Sequence, residues 1–267
     1  MGDQIAIPKI IMQTWKTKTL PAHWQASQDA IRRLLVDWKY TLQTDADNTS
    51  FVSRYFPDFK ATFDGFEYPI QRADAIRYMW LYVHGGVYLD LDLEIVEDIC
   101  CLFKRPAHIY VVMSGIVPNV YTNAFMAAVP GQHVMLECLH LMQIGHRPWH
   151  FGKHLKVVNS TGPNMFTQAI INYKEQDEDF IVEEIPSDKI IACSICDPKP
   201  CWRPGAICRT LGGSSWSGSD TELLGRLYCD VQTNKQYLKQ NKDQVTAITV
   251  VIIVFIILVV LAFKRRA

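Results

Sequence analysis

At 267 residues the chain suffices for one large domain or two small ones, and its 49% hydrophobic content excludes a disordered chain. Its 27 basic and 27 acidic residues balance, which argues against nucleic acid as a partner, since that surface needs a clustered basic face. The balance hides an asymmetry: Lys264, Arg265 and Arg266 crowd the C-terminus, whereas every acid precedes residue 245. The body therefore carries three more acids than bases.

Residues 5–15 (IAIPKIIMQTW) read as a first buried strand, apolar and β-branched, closing on polar residues. Residues 21–38 have helical spacing, with Trp24, Ile31, Leu34, Leu35 and Trp38 on one face. A short strand over 40–44 ends in the acidic turn Asp45-Ala46-Asp47, and a helix over 48–55 stops at Pro57. Strands alternating with helices predict an α/β sheet with mainly parallel strands.

Pro69 suits the first turn of the next helix, which Gly85-Gly86 ends. Ile70, Ala73, Ile76, Trp80 and Val83 form its apolar stripe. Asp74 and Arg77, spaced i and i+3, share another face, either as a solvated ion pair or as a functional one. In the strand that follows, Val87, Leu89, Leu91 and Leu93 point to one side, and Tyr88, Asp90 and Asp92 to the other. Two carboxylates at i and i+2 thus converge as hard oxygen ligands, which a divalent ion carrying a diphosphate needs. A lone D-x-D arises readily by chance. The glycine turn before it, and the neighbouring helix with Asp74 and Arg77, give it weight.

A strand over 109–113 and a helix over 131–144 come next, then a loop holding His146, His150 and His154, which reads as solvated rather than metal-binding. Ser160-Thr161-Gly162-Pro163 leads into a helix over 164–173, and a strand covers 180–185. Asn123 and Gly162-Pro163 suit either a ligand pocket or turn and cap roles. Cys193, Cys196, Cys201 and Cys208, spaced C-x2-C-x4-C-x6-C, lie in a loop rich in Pro and Gly. Zinc or disulfides would each explain that clustering; zinc suits a cytosolic body, disulfides a luminal one.

Ser219 and Glu222 form a capping-box pair that starts a helix. It leads towards residues 245–263, nineteen without a charge, which as a helix would rise about 28 Å, close to a hydrocarbon core. A buried core segment is the alternative, but flanking Lys239, Lys242 and the Lys-Arg-Arg end favour a single-pass membrane span. The terminal basic cluster favours a cytosolic tail and a luminal body. The N-terminus has no hydrophobic signal stretch, and a tail-anchored protein keeps its body in the cytosol. These cues oppose one another, so the side of the body stays open.

Four blocks carry a resemblance to a known family: IPKIIMQTWK at the start, RADAIRYMWLYVHGGVYLDLD in the middle, STGP after residue 160, and GGSSW ending at Trp216. The chain resembles the glycosyltransferases of family 32, with their DXD-containing sugar-binding region, and within them the inositol phosphorylceramide mannosyltransferases. The resemblance implies a GT-A fold, a Rossmann-type mixed sheet flanked by helices, and retaining hexose transfer assisted by Mn2+, with Mg2+ as a substitute. GDP-mannose is the implied donor and a lipid or glycan the acceptor, inositol phosphorylceramide first. A UDP-sugar donor, or a degenerate glycan-binding membrane protein, is the alternative, and a regulatory subunit is left open.

By position, Asp90 and Asp92 would hold the metal. Asp74 would accept hydrogen bonds from sugar or ribose hydroxyls, with Arg77 beside it. Trp15 would stack on the base, although a core role also suits it, and Tyr88 would lie near the nucleotide. Ser215 and Trp216 would close over the diphosphate, or Trp216 would pack in the core. The chain departs from the pattern at Met12, where the first block usually has His, and around GSSW, where Leu211-Gly212 and Ser217 replace flanking histidines. The implied organisation is a transferase domain over 1–218, a helical connector over 219–244, a transmembrane helix over 245–263 and a basic tail over 264–267, in an ER- or Golgi-type membrane.

Overall fold

Three parallel strands lie side by side: β1 (Ile10–Thr14) pairs with β2 (Lys39–Gln43) on one flank and β3 (Gly86–Leu89) on the other. The computed structural model describes residues 6–115, 117–145, 152–213 and 218–233. β1 and β2 are connected by α1 (Ala22–Leu34), and β2 and β3 by α2 (Asp45–Tyr55), a 3-10 turn, α3 (Lys60–Gly65) and α4 (Pro69–His84). Thr44 caps α2 in a full capping box with Asp47, so the expected acidic turn is the first turn of that helix.

Beyond β3 the sheet turns antiparallel. After β4 (Leu93–Ile95), the strands β5 (Ile109–Met113) and β6 (Tyr121–Ala128) run so that β6 pairs antiparallel with both β3 and β5. Helices α5 (Val134–Ile144), α6 (Gly152–Ser160) and α7 (Pro163–Gln176) then lead to β7 (Val182–Ile185), which pairs parallel to β5. The order is β2-β1-β3-β6-β5-β7. A short α8 (Ser187–Ile190) precedes β8 (Cys208–Thr210), which forms a separate ribbon with β4, and α9 spans Ser219–Thr233. The sheet is therefore mixed, as the family resemblance implies; the strand-by-strand reading of mainly parallel strands misses this because it does not include β6. Its sequence, YTNAFMAA, lacks the β-branched run that signals a strand.

Side chains alternate across the sheet as the pleat requires. Met12, Tyr88, Val111 and Met126 face one core, while Ile11, Val87, Tyr110, Val112 and Phe125 face the other, with Ile31 of α1. Helix α4 departs from the amphipathic expectation. Gln71 and Asp74 through Leu81 are buried, so the helix runs through the protein with little solvated face. Its end is enforced by backbone geometry. Gly85 and Gly86 have φ of +63° and +87°, and a Cβ at Gly86 would stand 2.4 Å from the Ile10 carbonyl oxygen of β1. Gly86→Ala should cost at least about 3 kcal/mol, because strain and a backbone clash combine in the β1–β3 strand pair. A urea midpoint within error of wild type would contradict this account.

The chain divides into two compact units, Met1–Asp220 and Thr221–Ala267. Among the described residues no helix is long and apolar enough to cross a membrane. The expected span at 245–263 lies outside the described residues, as do Ser215 and Trp216. Of the cysteine cluster, Cys193 and Cys201 are joined by a disulfide and Cys208 is a buried free thiol. Cys193, Asp197 and Cys201 also sit close enough to suggest a metal group. Two of those three sulfur and oxygen donors are spent on the disulfide, so the zinc alternative falls.

Candidate active site

In an α/β sheet, ligands gather outside the carboxyl ends of the parallel strands. At that edge Trp15 follows β1, Asp90 follows β3, and Asn123 enters β6 beside them, with the Asp90 amide bonded to the Ala124 carbonyl. The acidic pair is not on a strand. Strand β3 stops at Leu89, and residues 90–93 form a tight turn closed by Leu93 N–H donating to the Asp90 carbonyl at 3.1 Å. The two carboxylates therefore sit on a turn, not on the i,i+2 pleat of a strand. This turn is clamped from α1: Ser27 Oγ donates to the Leu93 carbonyl at 2.6 Å and itself receives Gln13 Nε2 at 2.9 Å.

Arg77 is the hub beneath the turn. Its Nη2 meets Asp74 Oδ1 at 2.9 Å, and its Nη1 meets Asp90 Oδ1 at 3.2 Å and the Asn123 carbonyl at 2.7 Å. Its guanidinium carbon lies 4.4 Å from the centroid of the Tyr88 ring, and the Tyr88 hydroxyl donates to Asp90 Oδ1 at 2.5 Å. Asp74 and Arg77 are each 3% exposed, which excludes the solvated ion pair. Asp74 also receives Asn123 Nδ2 at 3.1 Å and the Thr161 hydroxyl at 2.7 Å. The carboxylate expected to face donor hydroxyls is thus enclosed by three donors, and its visible work is to hold Arg77. Asn123 further donates to the Tyr78 hydroxyl at 3.0 Å, and Tyr78 to the Thr161 carbonyl at 3.1 Å.

Electrostatics follow from this burial. Desolvation pushes the Asp74 carboxyl up, opposed by Arg77 and by the Thr161 hydrogen bond. Burial alone would lower Arg77, but Tyr88, Asp90 and Asp74 around it raise it instead. Burial, and then the neighbouring Asp90 charge, push Asp92 up to about 7, with Arg77 and Lys199 pulling the other way. Part of Asp92 reaches solvent, yet protein crowds its carboxyl. A donor set of two carboxylates on one turn, one strained by the charge of the other, fits a hard divalent cation, which would relieve that repulsion.

The glycine-rich segment reaches the same place through the β4–β8 ribbon. Leu93 pairs with Thr210, and Leu211 N–H donates to the Asp92 carbonyl at 2.7 Å. Trp24 Nε1 then holds the Gly212 carbonyl at 2.9 Å, while its ring meets Trp15 edge-on at 5.0 Å between centroids. Trp15 is half-buried against Trp24, so it combines the packing role with a face at the sheet edge. The structure thus gathers Asp74, Arg77, Tyr88 and Asp90 into one network, with Asp92 two residues on in the same turn and Trp15 following β1 at the sheet edge. Thr161 lay inside the quoted STGP block, but nothing in its spacing pointed to Asp74. Gly162 and Pro163 take the cap and first-turn positions of α7.

The fold and site define an α/β protein with a mixed sheet and a D-x-D turn at its carboxyl edge. Residues 21–109 match the family described as glycosyltransferase sugar-binding region containing DXD motif. Mannosyl phosphorylinositol ceramide synthase SUR1 of Saccharomyces cerevisiae is 36% identical over 63% of this chain and 43% of its own length. Inositol phosphoceramide mannosyltransferase 3 of Schizosaccharomyces pombe is 35% identical over 61% of this chain and 44% of its own. The chain spans less than half the length of either relative. Among solved structures, PaToxG glycosyltransferase is similar with a TM-score of 0.47 and 21% identity, over 62% of this chain and 70% of that one.

Proposed function

We propose that the protein is a metal-assisted retaining glycosyltransferase that moves mannose from GDP-mannose to a lipid acceptor of the inositol phosphorylceramide type. The observation that carries this reading is the Asp90–Asp92 turn, set at the sheet's carboxyl edge over the buried Asp74–Arg77 pair. Asp90 and Asp92 would hold a divalent cation, Mn2+ or Mg2+, which supplies positive charge to a departing nucleoside diphosphate. The chain's own residues do the rest. Arg77 and Tyr88 fix Asp90 in one orientation, Asp74 fixes Arg77, and Trp15 offers a ring face for the base. Ser215 and Trp216 would close over the diphosphate, which would exclude water from the donor.

The names of the yeast relatives support mannose and the ceramide-linked acceptor. A span at 245–263 would hold the site beside such a headgroup in an endomembrane. The Cys193–Cys201 disulfide favours a luminal body, because such bonds persist in oxidising compartments. The test is to incubate the full chain in detergent with Mn2+, GDP-mannose and inositol phosphorylceramide. Acceptor-dependent release of GDP is expected. Absence of release with GDP-mannose and with UDP-sugars alike would overturn the reading.

A further inference from the structure

The charges at the site do not close without one more cation. Asp74 and Arg77 neutralise each other, and a divalent ion would balance Asp90 and Asp92. A donor diphosphate would then arrive with its own negative charge unanswered. A loop that nothing so far assigns to the site lays a basic side chain on Gly212, next to Leu211, whose N–H is bonded to the Asp92 carbonyl.

The loop is built to hold its position. The Cys193–Cys201 disulfide closes it, and Cys201 exchanges both backbone hydrogen bonds with Thr210 of β8, at 2.8 and 2.9 Å. Thr210 pairs with Leu93, and Leu211 is bonded to the Asp92 carbonyl. Within this loop Lys199 lays its aliphatic stem across Gly212. A Cβ built on Gly212 would stand 2.6 Å from Lys199 Cβ and 2.7 Å from its Cγ, and Gly212 has φ of +79°. Only glycine lets the stem pass so close. The Lys199 ammonium rests on the Ser194 carbonyl at 2.8 Å, an exposed main-chain acceptor within the same loop.

We propose that Lys199, carried on the disulfide-closed loop, is a donor-binding residue that contacts the diphosphate of the nucleotide sugar beside Asp92. This deepens the glycosyltransferase reading and rests on it. An ammonium suits the task as a compact charge on a flexible stem, able to leave the Ser194 carbonyl for a phosphate oxygen.

Three full-chain variants test the proposal by titration calorimetry with Mn2+, first alone, then with GDP and with guanosine. Lys199→Met keeps the stem and removes the charge. It should weaken GDP by roughly tenfold, the loss of one charge-assisted hydrogen bond, and leave guanosine and Mn2+ alone unweakened. Lys199→Arg should restore GDP to within a few fold of wild type. Were Lys199→Met to bind GDP as wild type does while Lys199→Ala does not, the lysine would be a packing stem only and the proposal would fail. Equal weakening of Mn2+ alone would also overturn it. Wild-type protein that binds no nucleoside diphosphate would instead sink the glycosyltransferase reading, and this proposal with it.

Discussion

Asp92→Asn is expected to lower metal-dependent turnover by at least about a hundredfold, because an amide oxygen cannot replace a carboxylate's charge at a cation. The same variant should raise the stability of the metal-free protein above neutral pH. The Asp92 carboxyl titrates near 7 in the fold and near 3.8 in an unfolded chain. Between those values the folded state keeps a proton that the unfolded state has released. Its contribution to stability is therefore complete below 3.8 and is lost as pH rises to about 7. Thermal melts in chelator should show wild type falling relative to Asp92→Asn across that window, then running parallel to it. Adding Mn2+ should reverse the order for wild type alone, and the Mn2+ affinity should drop as pH falls below 7, since a proton competes for the same oxygen. A variant that loses activity but is no more stable at pH 8 would show that Asp92 is not held against its own charge.

The sequence made the front half of the sheet legible, because β1, α1, β2, α2, α4 and β3 each carry a local signal. Apolar β-branched runs, a proline at the first helical turn and a glycine pair at the last are near-neighbour effects. The remaining errors share a cause in long-range pairing. Strand β6 has no propensity of its own and exists because β3 and β5 both pair with it. The alternation of Val87 through Leu93 suggested one strand, yet β3 stops at Leu89. Leu91 then joins a different apolar cluster, with Leu20 and Trp24, after the chain has turned. The candidate site divides along the same line. Asp74, Arg77, Tyr88, Asp90 and Asp92 lie within nineteen residues and were visible together. Asn123 stood out only as a pocket or turn candidate and Thr161 only as part of the STGP block; their bonds to Asp74 come from long-range packing that no spacing in the sequence announces.

Arg77→Met is expected to cost about 3–5 kcal/mol in stability. The substitution keeps the volume but leaves Asp74, 3% exposed, as a buried charge with only Asn123 and Thr161 to answer it. It also frees the Asn123 carbonyl and removes one partner of Asp90. For a body of this size the loss corresponds to a fall of roughly 10 °C in Tm. Arg77→Lys should not rescue, since one ammonium cannot reach Asp74, Asp90 and the Asn123 carbonyl as a planar fork does. Asp74→Asn combined with Arg77→Met should be more stable than Arg77→Met alone by at least about 1 kcal/mol, because the stranded charge has gone. The double variant should nevertheless stay inactive, as Asp90 still lacks the guanidinium that orients it. If Arg77→Met melts within about 2 °C of wild type, the buried pair does not organise the site, and the D-x-D turn must be held by the Ser27 and Leu211 contacts alone.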